Sequence, residues 1–575
     1  MKNSIKKRGQ KIIRRFSRTA DKVQEEGKEH IKENFVRRLS HIANIKILIL
    51  EWVLLIAALI MLAVTQSFWF GNTYTKNVYT AGGTYTEGTI GKINSLNPLF
   101  ATTSSEKTLS RLLFSTLSTI DFAGQTGMGL AKSITPKEDG KVWILTLKDD
   151  LKWSDGEPIT LSDVYFTTKL IQNPAVITAY DSNLSKVKVE LGEDSITFTL
   201  PAKYADFTSA LNFPILPEHI LKDADPKTIV EHSFSSSPVT SGAFMINTVQ
   251  NSNTEKIVYL SANPHYYKGK PLINTFVVHA YADKNSLITA MNAGSVTATA
   301  ELSSADASAV DTTKFYEKDS SVSFGVFAIL NTTSPALKNK DLRTAIRQGL
   351  DLAELRQVVP NTTPLDFPII PAQISLNKYP AVTQMDTEAA KTKIANASGE
   401  GKITLSLVTV DSGYLPMLAS TLARQLQYLG FEVNLSIEPE SQDFVTNIIP
   451  KRNYDILLYE IELGADPDLL TYYHSSQATS AGLNLSNYTN ALVDDLLLAA
   501  RETTDVTMRT KKYETFLEYW AADVPAIGIY QSNLSYFYNK NVRTFENDIR
   551  LVSPLDRFSD VTSWSVVKST KNQTP

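Results

Sequence analysis

Residues 403–437 read ITLSLVTVDSGYLPMLASTLARQLQYLGFEVNLSI, and this stretch decides the fold class of the chain. Apolar and polar residues alternate in its first part and again after Gly430, and this period of two predicts two β-strands. Between them, leucines recur at helical spacing, and Gly430 is a typical helix stop. A strand, a helix and a second strand in succession predict two parallel strands joined by a right-handed crossover.

The same alternation of strands and helices continues beyond this stretch. A buried strand is predicted at 454–461 and helical patterns follow it, so we interpret 322–528 as an α/β domain. Ligands of open α/β sheets bind at the carboxyl ends of the strands. The loops at 409–416 and 462–468 follow two such ends, and they therefore predict one wall of a binding cleft.

The region before the α/β domain has a different pattern. Short alternating segments joined by turns occur at 142–149, 186–200 and 256–260, with few long helical runs. This pattern predicts a mixed, mostly antiparallel sheet. The fold class expected for the whole chain is therefore α/β with an additional β-rich part.

The composition excludes several classes of protein. The 575 residues include no cysteine, which excludes disulfides, thiolate metal sites, a cysteine nucleophile and a lipid-modified N-terminal cysteine. The net charge of −3 combines a basic segment, residues 1–46, at +9 with a remainder at −12. An acidic body argues against nucleic acid as a partner.

An apolar run at 47–70 is long enough to cross a bilayer as one helix. Basic residues precede it, which predicts a cell-membrane protein with a cytoplasmic N-terminus, a single pass and an extracellular body. A cleaved signal peptide is the alternative, but the 46-residue leader is longer than an n-region and no A-x-A-like site follows. The head, 1–46, is either an amphipathic helix on anionic lipid or a solvated tail. Residues 71–81 and 566–575 are interpreted as a linker and a tail.

The most distinctive motifs lie within 129–171. An Asp-Gly turn at 139–140 is followed by Trp-x-Asp-Gly-x-Pro at 153–158, and residues 160–163 have the pattern of a helix capping box. In combination, these motifs resemble extracellular solute-binding protein family 5, the binding proteins of peptide- and nickel-type ABC importers. Further segments follow in the order typical of that family, so the resemblance covers 82–545. These segments include ILPEHIL at 215–221, NPHYYKGKP at 263–271 and ADPDLL at 465–470.

The resemblance implies a two-lobed receptor with a fold like that of the periplasmic binding proteins (type II, cluster C). The two lobes would close over a solute, and the chain crossings between them would act as a hinge. The implied ranges are 82–321 for lobe I with an extra β-rich subdomain at about 116–236, 322–528 for lobe II, 529–565 for the return to lobe I, and 316–323 and 525–532 for the crossings.

The resemblance also implies a function. The receptor would capture peptides or a similar small solute and deliver them to the permease of an ABC importer. Such a protein is expected to be a monomer without enzymatic activity, cofactor or metal. A sensor that passes its ligand state inward through the cytoplasmic head is the alternative. A hydrolase using Asp155 and Glu157, or Asp466 and Asp468, is a further alternative, although Asp155 begins an Asp-Gly turn.

Peptide recognition needs no catalytic residue, because main-chain hydrogen bonds can hold an extended ligand as an added strand. The strand 86–91 and the loop 459–466 would form the two sides. In peptide-binding relatives, an acidic residue three positions before Asp-Pro pairs with the α-amine of the ligand, and here that position is Leu463. The expected ligand contacts are Glu87, Thr89, Ile90, Asp411, Tyr414, Tyr459, Glu460, Glu462, Leu463, Gly464 and Asp466.

This departure from the family pattern leaves two interpretations. Glu460 and Glu462 are the nearest acidic residues to Leu463 and would share the opposite face of a strand, so Glu462 taking the amine role is one hypothesis. The alternative is that both glutamates are solvated or pair within the protein. The loop 409–416 has no cation for a ligand carboxylate, which favours a longer peptide or another solute over a dipeptide clamped at both ends. His474 alone does not predict a metal site.

Overall fold

The computed structural model of the chain describes residues 46–572 apart from 122, 179, 181–183, 185, 253–254, 400, 440–443 and 546–549. The predicted cytoplasmic head therefore lies outside the described residues, except for Lys46. The described residues form two compact units, and the larger one is Tyr79–Lys568. This larger unit contains the apolar cores and the candidate site.

The smaller unit contains the helix Lys46–Tyr74 and most of the strand Thr75–Thr80. The segment interpreted as a polar linker thus continues the helix and then forms a strand, which pairs with Val567–Asn572. Local patterning missed both strands because they come from opposite ends of the chain. Within the residues that the structure describes, no helix is both long enough and apolar enough to cross a membrane. The predicted membrane-spanning helix at 47–70 is therefore not supported.

Several of the helices begin at polar side chains that accept hydrogen bonds from main-chain amides of the first turn. Thr160 and Asp163 form the predicted capping box, in which the N–H of Thr160 donates to Asp163 Oδ2 over 2.8 Å. The α-helices are α1 Lys46–Tyr74, α2 Ser104–Leu113, α3 Leu161–Ile171, α4 Phe207–Ala210, α5 Glu218–Leu221, α6 Lys284–Asn292, α7 Lys340–Gly349, α8 Leu352–Gln357, α9 Thr387–Ser398, α10 Leu415–Tyr428, α11 Ile449–Lys451, α12 Leu470–Tyr473, α13 Ala491–Glu502 and α14 Val506–Asp523.

The strands of the larger unit form an eleven-stranded sheet, a four-stranded sheet and a two-stranded ribbon. The strands of the chain are β1 Thr75–Thr80, β2 Thr84–Ile90, β3 Ser118–Ile120, β4 Thr126–Met128, β5 Ala131–Lys137, β6 Val142–Leu147, β7 Lys188–Leu191, β8 Ile196–Thr199, β9 Phe244–Asn251, β10 Lys256–Ala262, β11 Thr275–Tyr281, β12 Ala298–Thr299, β13 Phe315–Leu330, β14 Thr363–Pro364, β15 Thr404–Val410, β16 Glu432–Glu438, β17 Ile456–Glu462, β18 Ala526–Asn539 and β19 Val567–Asn572.

The eleven-stranded sheet has the order β16-β15-β17-β13-β18-β12-β2-β11-β10-β9, and β14 pairs with β18. Strand β15 pairs in parallel with β16, with Thr404 beside Glu432, so the parallel pair predicted from 403–437 is confirmed. At the other end of the sheet, β2 and β11 are parallel and β11, β10 and β9 are antiparallel. The four-stranded sheet, in the order β5-β6-β8-β7, is antiparallel throughout, in agreement with the pattern of the early region.

Two long strands, β13 and β18, connect two apolar cores. They pair with each other on both sides of a register shift at 321–325 of β13. The core of lobe II is built from residues within 326–530. The core of lobe I is built from residues within 85–322 together with the return segment 534–564. The chain therefore leaves lobe I along β13 and re-enters it along β18.

Candidate functional site

Three chain segments meet side by side where β17 ends. The main-chain N–H of Leu463 donates to the carbonyl of Ser323 over 2.7 Å, and the N–H of Ser323 donates to the carbonyl of Val552 over 2.9 Å. Leu463 belongs to lobe II, Ser323 lies on β13 and Val552 belongs to the return segment in lobe I. The end of β17 thus lies at the boundary between the lobes.

Leu463 faces inward at this boundary. Its side chain is only 4% exposed. Its carbonyl accepts a hydrogen bond from Gln373 Nε2 over 2.7 Å, and the same nitrogen donates to the carbonyl of Gly464 over 3.1 Å. Both main-chain polar groups of Leu463 are therefore bonded within the protein. Leu463 and Gly464, both expected as ligand contacts, thus have main-chain carbonyls that accept hydrogen bonds from Gln373.

Glu462 lies on the opposite face of the strand, as the period of two predicts, and its side chain is exposed. Although solvent reaches this side chain, protein atoms surround it closely. Loss of hydration, together with the Asp556 carboxylate, raises the pKa of Glu462 to about 7, and Lys107 opposes this shift. Asp556 and Lys107 belong to lobe I. The Glu462 carboxyl is therefore exposed to solvent and has charged groups of lobe I as electrostatic neighbours.

Tyr459 and Glu460 lie within β17, as the strand predicted at 454–461 indicates, and only the later part of 459–466 is a loop. The strand reaches this far because β13 pairs with it as far as Glu462. Ser532 Oγ on β18 donates a hydrogen bond to the Glu460 carboxylate. The Tyr459 ring packs against Phe444 with centroids 5.6 Å apart. Both predicted contacts are half-buried beside the crossing strands.

The other predicted wall, β2, is mostly interior. Glu87 is 0% exposed, and its Oε1 accepts a hydrogen bond from an Arg557 guanidinium nitrogen over 2.9 Å. Thr89 is also buried, and its hydroxyl accepts a hydrogen bond from Ser105 Oγ over 2.8 Å. Glu87 and Thr89 are therefore not exposed as ligand contacts would need to be, because α2 and the return segment cover the strand. Ile90, at the end of β2, is half-buried.

Asp411 and Tyr414 follow the carboxyl end of β15, where the sequence places them. Asp411 is exposed, and its N–H donates to the carbonyl of Glu438 over 2.7 Å. Tyr414 lies beside Ser303 and Ala305 of lobe I, and burial raises the pKa of its hydroxyl. Tyr414 therefore reaches the opposite lobe, whereas Asp411 remains accessible.

Asp466 and Asp468 are engaged with arginines of lobe II. Asp466 forms an ion pair with Arg509, and Asp468 Oδ2 lies 3.2 Å from Arg501 Nε. These pairings occupy the carboxylates that the hydrolase alternative would need as acid and base. They also direct Asp466 toward Arg509, away from the role of a ligand contact.

The same arginines bring the two lobes together. The Arg501 guanidinium lies 4.1 Å from the ring centroid of Tyr204 in lobe I, and the N–H of Ala205 donates to the Arg501 carbonyl over 2.8 Å. Desolvation and the neighbouring Asp466 raise the pKa of Asp206 to about 7. We name this contact the interlobe latch, consisting of Tyr204, Ala205, Asp206, Asp466, Asp468, Arg501 and Arg509.

The second carboxylate pair of the hydrolase alternative lies in a turn. Asp155 Oδ1 accepts a hydrogen bond from the Glu157 N–H over 3.1 Å, and Asp155 Oδ2 lies 3.0 Å from His219 Nε2. The Glu157 side chain is exposed. This geometry agrees with the turn interpretation of Asp155.

A metal site would need several clustered ligands. Within the described parts of the chain, no three or more His, Asp and Glu side chains are grouped so that they could hold a metal ion. His474 Nδ1 accepts a hydrogen bond from the Ser476 N–H over 3.0 Å and lies 3.8 Å from Asp494. His474 thus caps the start of a short helical turn.

Sequence reasoning missed a group of cations in lobe I. Lys148 follows β6, Lys268 lies in the turn between β10 and β11, and Arg111 lies near the end of α2. Lys148 Nζ and Lys268 Nζ lie 4.9 and 5.7 Å from the ring centroid of Tyr267. The three cations come from distant segments, so no local motif indicates the group. We name Arg111, Lys148 and Lys268 the cationic cluster.

Comparison with known proteins places this geometry in a family. The family model for bacterial extracellular solute-binding proteins, family 5 Middle, matches residues 126–482. The oligopeptide-binding protein AppA of Bacillus subtilis is 25% identical over 484 residues, which cover 79% of this chain and 87% of AppA. Its structure in complex with a nonapeptide matches with a TM-score of 0.72 and 23% identity over 85% of this chain and 100% of that one. NikZ from Campylobacter jejuni, in complex with Ni(L-His), matches with a TM-score of 0.71 and 21% identity over 84% and 99%. The chain shares their two-lobed fold and belongs to the bacterial extracellular solute-binding proteins of family 5.

Proposed function

We propose that this protein is an extracellular receptor that captures peptides between its lobes and delivers them to the permease of an ABC importer. The observation that carries the proposal is the position of Glu462, an exposed carboxyl that faces lobe I at the end of β17. Family membership and the similarity to an oligopeptide-binding protein support peptides as the ligand class. Glu462 would pair with the α-amine of the peptide, since position 463 has no carboxylate.

The raised pKa of Glu462 makes the proposed amine contact dependent on pH. A carboxyl with a pKa of about 7 is mostly neutral at pH 6 and mostly ionised at pH 8. A peptide ammonium pairs with the ionised form, so binding of peptides with a free amine should become tighter above pH 6 and reach its maximum at about pH 7.5, where the α-amine, with a pKa of about 7.7–8.0, begins to lose its proton. N-acetylated peptides have no ammonium group and should not show this increase.

Native mass spectrometry of the full-length protein is the first test. A ladder of adducts at peptide masses supports the proposal. One discrete non-peptide mass would redirect it to another solute, and a protein that stays empty after incubation with mixed peptides would overturn it. This measurement requires no prior choice of ligand.

Substitution of Glu462 then tests the amine contact. Glu462→Gln should weaken binding of peptides with a free amine at pH 8 by about tenfold, because a charge-assisted hydrogen bond is lost. It should leave N-acetylated peptides unaffected. Glu157→Gln is the matched control, because Glu157 is also an exposed glutamate but lies in the Asp-Gly turn. Equal weakening of both peptide types by Glu462→Gln would contradict the assignment.

We infer that β13 and β18 form the hinge, between a lobe I of 82–321 plus 529–565 and a lobe II of 322–528. The register shift at 321–325 supports this position, because interrupted pairing allows a strand pair to bend locally. Small-angle X-ray scattering should then show a smaller radius of gyration when a bound peptide is present than after its removal. An unchanged radius would argue against closure.

Attachment to the membrane through 47–70 is a separate proposal that rests on the sequence. The apolar run and the basic residues before it support a single anchor with the body outside. Alkaline carbonate extraction of cell membranes tests it. Retention in the pellet is expected, and release into the supernatant would overturn the anchor.

A further inference from the structure

The cationic cluster surrounds one aromatic ring and one turn of the return segment. Lys148 Nζ lies 4.9 Å and Lys268 Nζ 5.7 Å from the ring centroid of Tyr267. Arg111 donates a hydrogen bond to Ser559 Oγ over 3.1 Å, and Lys268 Nζ lies 3.5 Å from the carbonyl oxygen of Ser559. The shared contacts with Tyr267 and Ser559 bring all three cations into one neighbourhood.

The acidic groups nearest to the cluster have other partners. Asp556 lies 3.6 Å from an Arg111 guanidinium nitrogen, but it also caps a helical turn by accepting the Ser553 N–H over 2.8 Å. Asp560 accepts a hydrogen bond from Trp564 Nε1 over 2.7 Å. Two carboxylates that already serve other contacts therefore face three cations.

The lysines are held by neutral groups. Lys148 Nζ donates to the carbonyls of Met128 and Gly129, and the described residues give neither Lys148 nor Lys268 an ion pair within 4.0 Å. Desolvation, followed by repulsion from Arg111 and Lys148, lowers the pKa of Lys268 to about 8. The Lys268 residue is nevertheless exposed to solvent. The cationic cluster therefore carries an excess of positive charge, and solvent reaches Lys268.

The return segment links the cluster to the end of β17, because its Asp556 lies 3.6 Å from Arg111 and its Val552 accepts the N–H of Ser323, which is bonded to Leu463. Burial and, to a lesser degree, the Glu462 carboxyl raise the pKa of the Tyr180 hydroxyl to about 12, and Arg111 opposes this shift. Tyr180 therefore has Glu462 of lobe II and Arg111 of the cationic cluster as electrostatic neighbours. A ligand beside Glu462 would thus also be near the cluster.

We propose that Arg111, Lys148 and Lys268 form a subsite that binds a carboxylate of the captured solute. This inference rests on the proposed function and adds the charge that the ligand must carry. A carboxylate can accept charge-assisted hydrogen bonds from the two lysines and from Arg111, and the Tyr267 ring beside both lysines lies 5.0 Å from the Tyr266 ring. A peptide whose α-amine pairs with Glu462 and whose carboxylate binds the cationic cluster would then be held at both of its charged groups.

Three tetrapeptide libraries test the subsite on the full-length protein. The first lacks Asp and Glu and has free C-terminal carboxylates, the second is identical but C-terminally amidated, and the third is amidated but contains Asp and Glu. Binding is measured for each library by competition at fixed salt. The wild type should bind the first library at least about tenfold more tightly than the second. Strong binding of the third library would identify a side-chain carboxylate as an equally good source of the anion.

Substitutions then assign the effect to the cluster. Lys268→Gln should reduce the preference for carboxylate over amide by about tenfold, and adding Lys148→Gln should abolish it, without weakening binding of the second library. Lys378→Gln is the matched control, since Lys378 is an exposed lysine of lobe II paired with Glu518. Thermal unfolding of each variant shows whether it is folded.

The outcomes separate this inference from the proposed function. Equal binding of all three libraries by the wild type overturns the subsite and leaves peptide capture intact. A stability loss in Lys268→Gln with an unchanged carboxylate preference also overturns it, because the cluster would then only hold the return segment. If the wild type binds none of the libraries, the proposed peptide function fails and the subsite fails with it.

Discussion

Glu87 and Arg557 form an ion pair inside lobe I, and the substitution Glu87→Gln would leave the Arg557 cation without its counter-charge. The two side chains are 0% and 2% exposed, so solvent cannot replace the lost carboxylate. The hydroxyl of Tyr536 donates to Glu87 Oε2 over 2.8 Å, and the hydroxyls of Tyr85 and Tyr536 lie 2.5 Å apart. One substitution therefore disturbs a buried network that joins β2, β18 and the return segment.

The expected magnitude follows from burial. Removing one partner of a buried ion pair costs about 3–5 kcal/mol, because the remaining charge is left uncompensated. An exposed pair contributes only about 0–1 kcal/mol. Glu354→Gln is the matched control, since Glu354 and its partner Arg424 have side chains that are 44% and 59% exposed.

Hydrogen exchange read by mass spectrometry measures the effect lobe by lobe. Glu87→Gln should lower the free energy of opening for amides of β2 and of the return segment by about 3 kcal/mol or more, while lobe II amides serve as an internal reference. The double variant Glu87→Gln/Arg557→Met should recover most of the loss, since no buried charge remains. A loss below about 1 kcal/mol in the single variant, or no recovery in the double variant, would refute the reasoning.

Three further substitutions test other parts of the structure. Asp206→Asn should raise the free energy of unfolding by about 1 kcal/mol or more at pH 8 and leave it unchanged at pH 4. The pKa of Asp206 is raised in the folded state, so the wild type loses stability as the pH rises toward about 7, whereas the variant does not. Urea titrations at both pH values measure this difference. Arg501→Met should open the interlobe latch and enlarge the radius of gyration in X-ray scattering, whereas Arg424→Met, at an exposed pair, should not. Gly242→Ala should lower the free energy of unfolding, measured in urea, by about 2 kcal/mol or more, because the added Cβ would lie 2.4 Å from the Leu112 carbonyl oxygen. Gly127→Ala is the control and should be nearly neutral, because its Cβ would meet no atom closer than 3.7 Å.

The parts of the fold that follow from local patterns were predicted correctly. The strand–helix–strand at 403–437 appears as β15, α10 and β16, and the capping box at Thr160 forms with Asp163. Alternation also put Glu462 and Leu463 on opposite faces of the chain. These features depend on residues close together in sequence, so a short stretch of sequence is enough to predict them.

The expectations that the structure does not support concern residues whose burial or pairing depends on segments far away in the chain. Glu87 and Thr89 have the alternation of a wall strand, but α2 and the return segment bury both of them. The strand Thr75–Thr80 was interpreted as a linker because its partner lies at the other end of the chain. Leu463 has no free main-chain group because Gln373, from a distant loop, bonds to its carbonyl.

By itself, the sequence determined the family, the α/β class of lobe II and the order of the elements, because turn residues, helix caps and apolar periodicity act over a few neighbouring positions. Only the tertiary structure decided which side chains face the cleft. It placed Glu462 opposite lobe I, paired Glu87 with Arg557 and brought Arg111, Lys148 and Lys268 together. The physical reason is that burial and the proximity of charges depend on packing between segments far apart in the chain. A local sequence pattern does not indicate which distant segments will pack together.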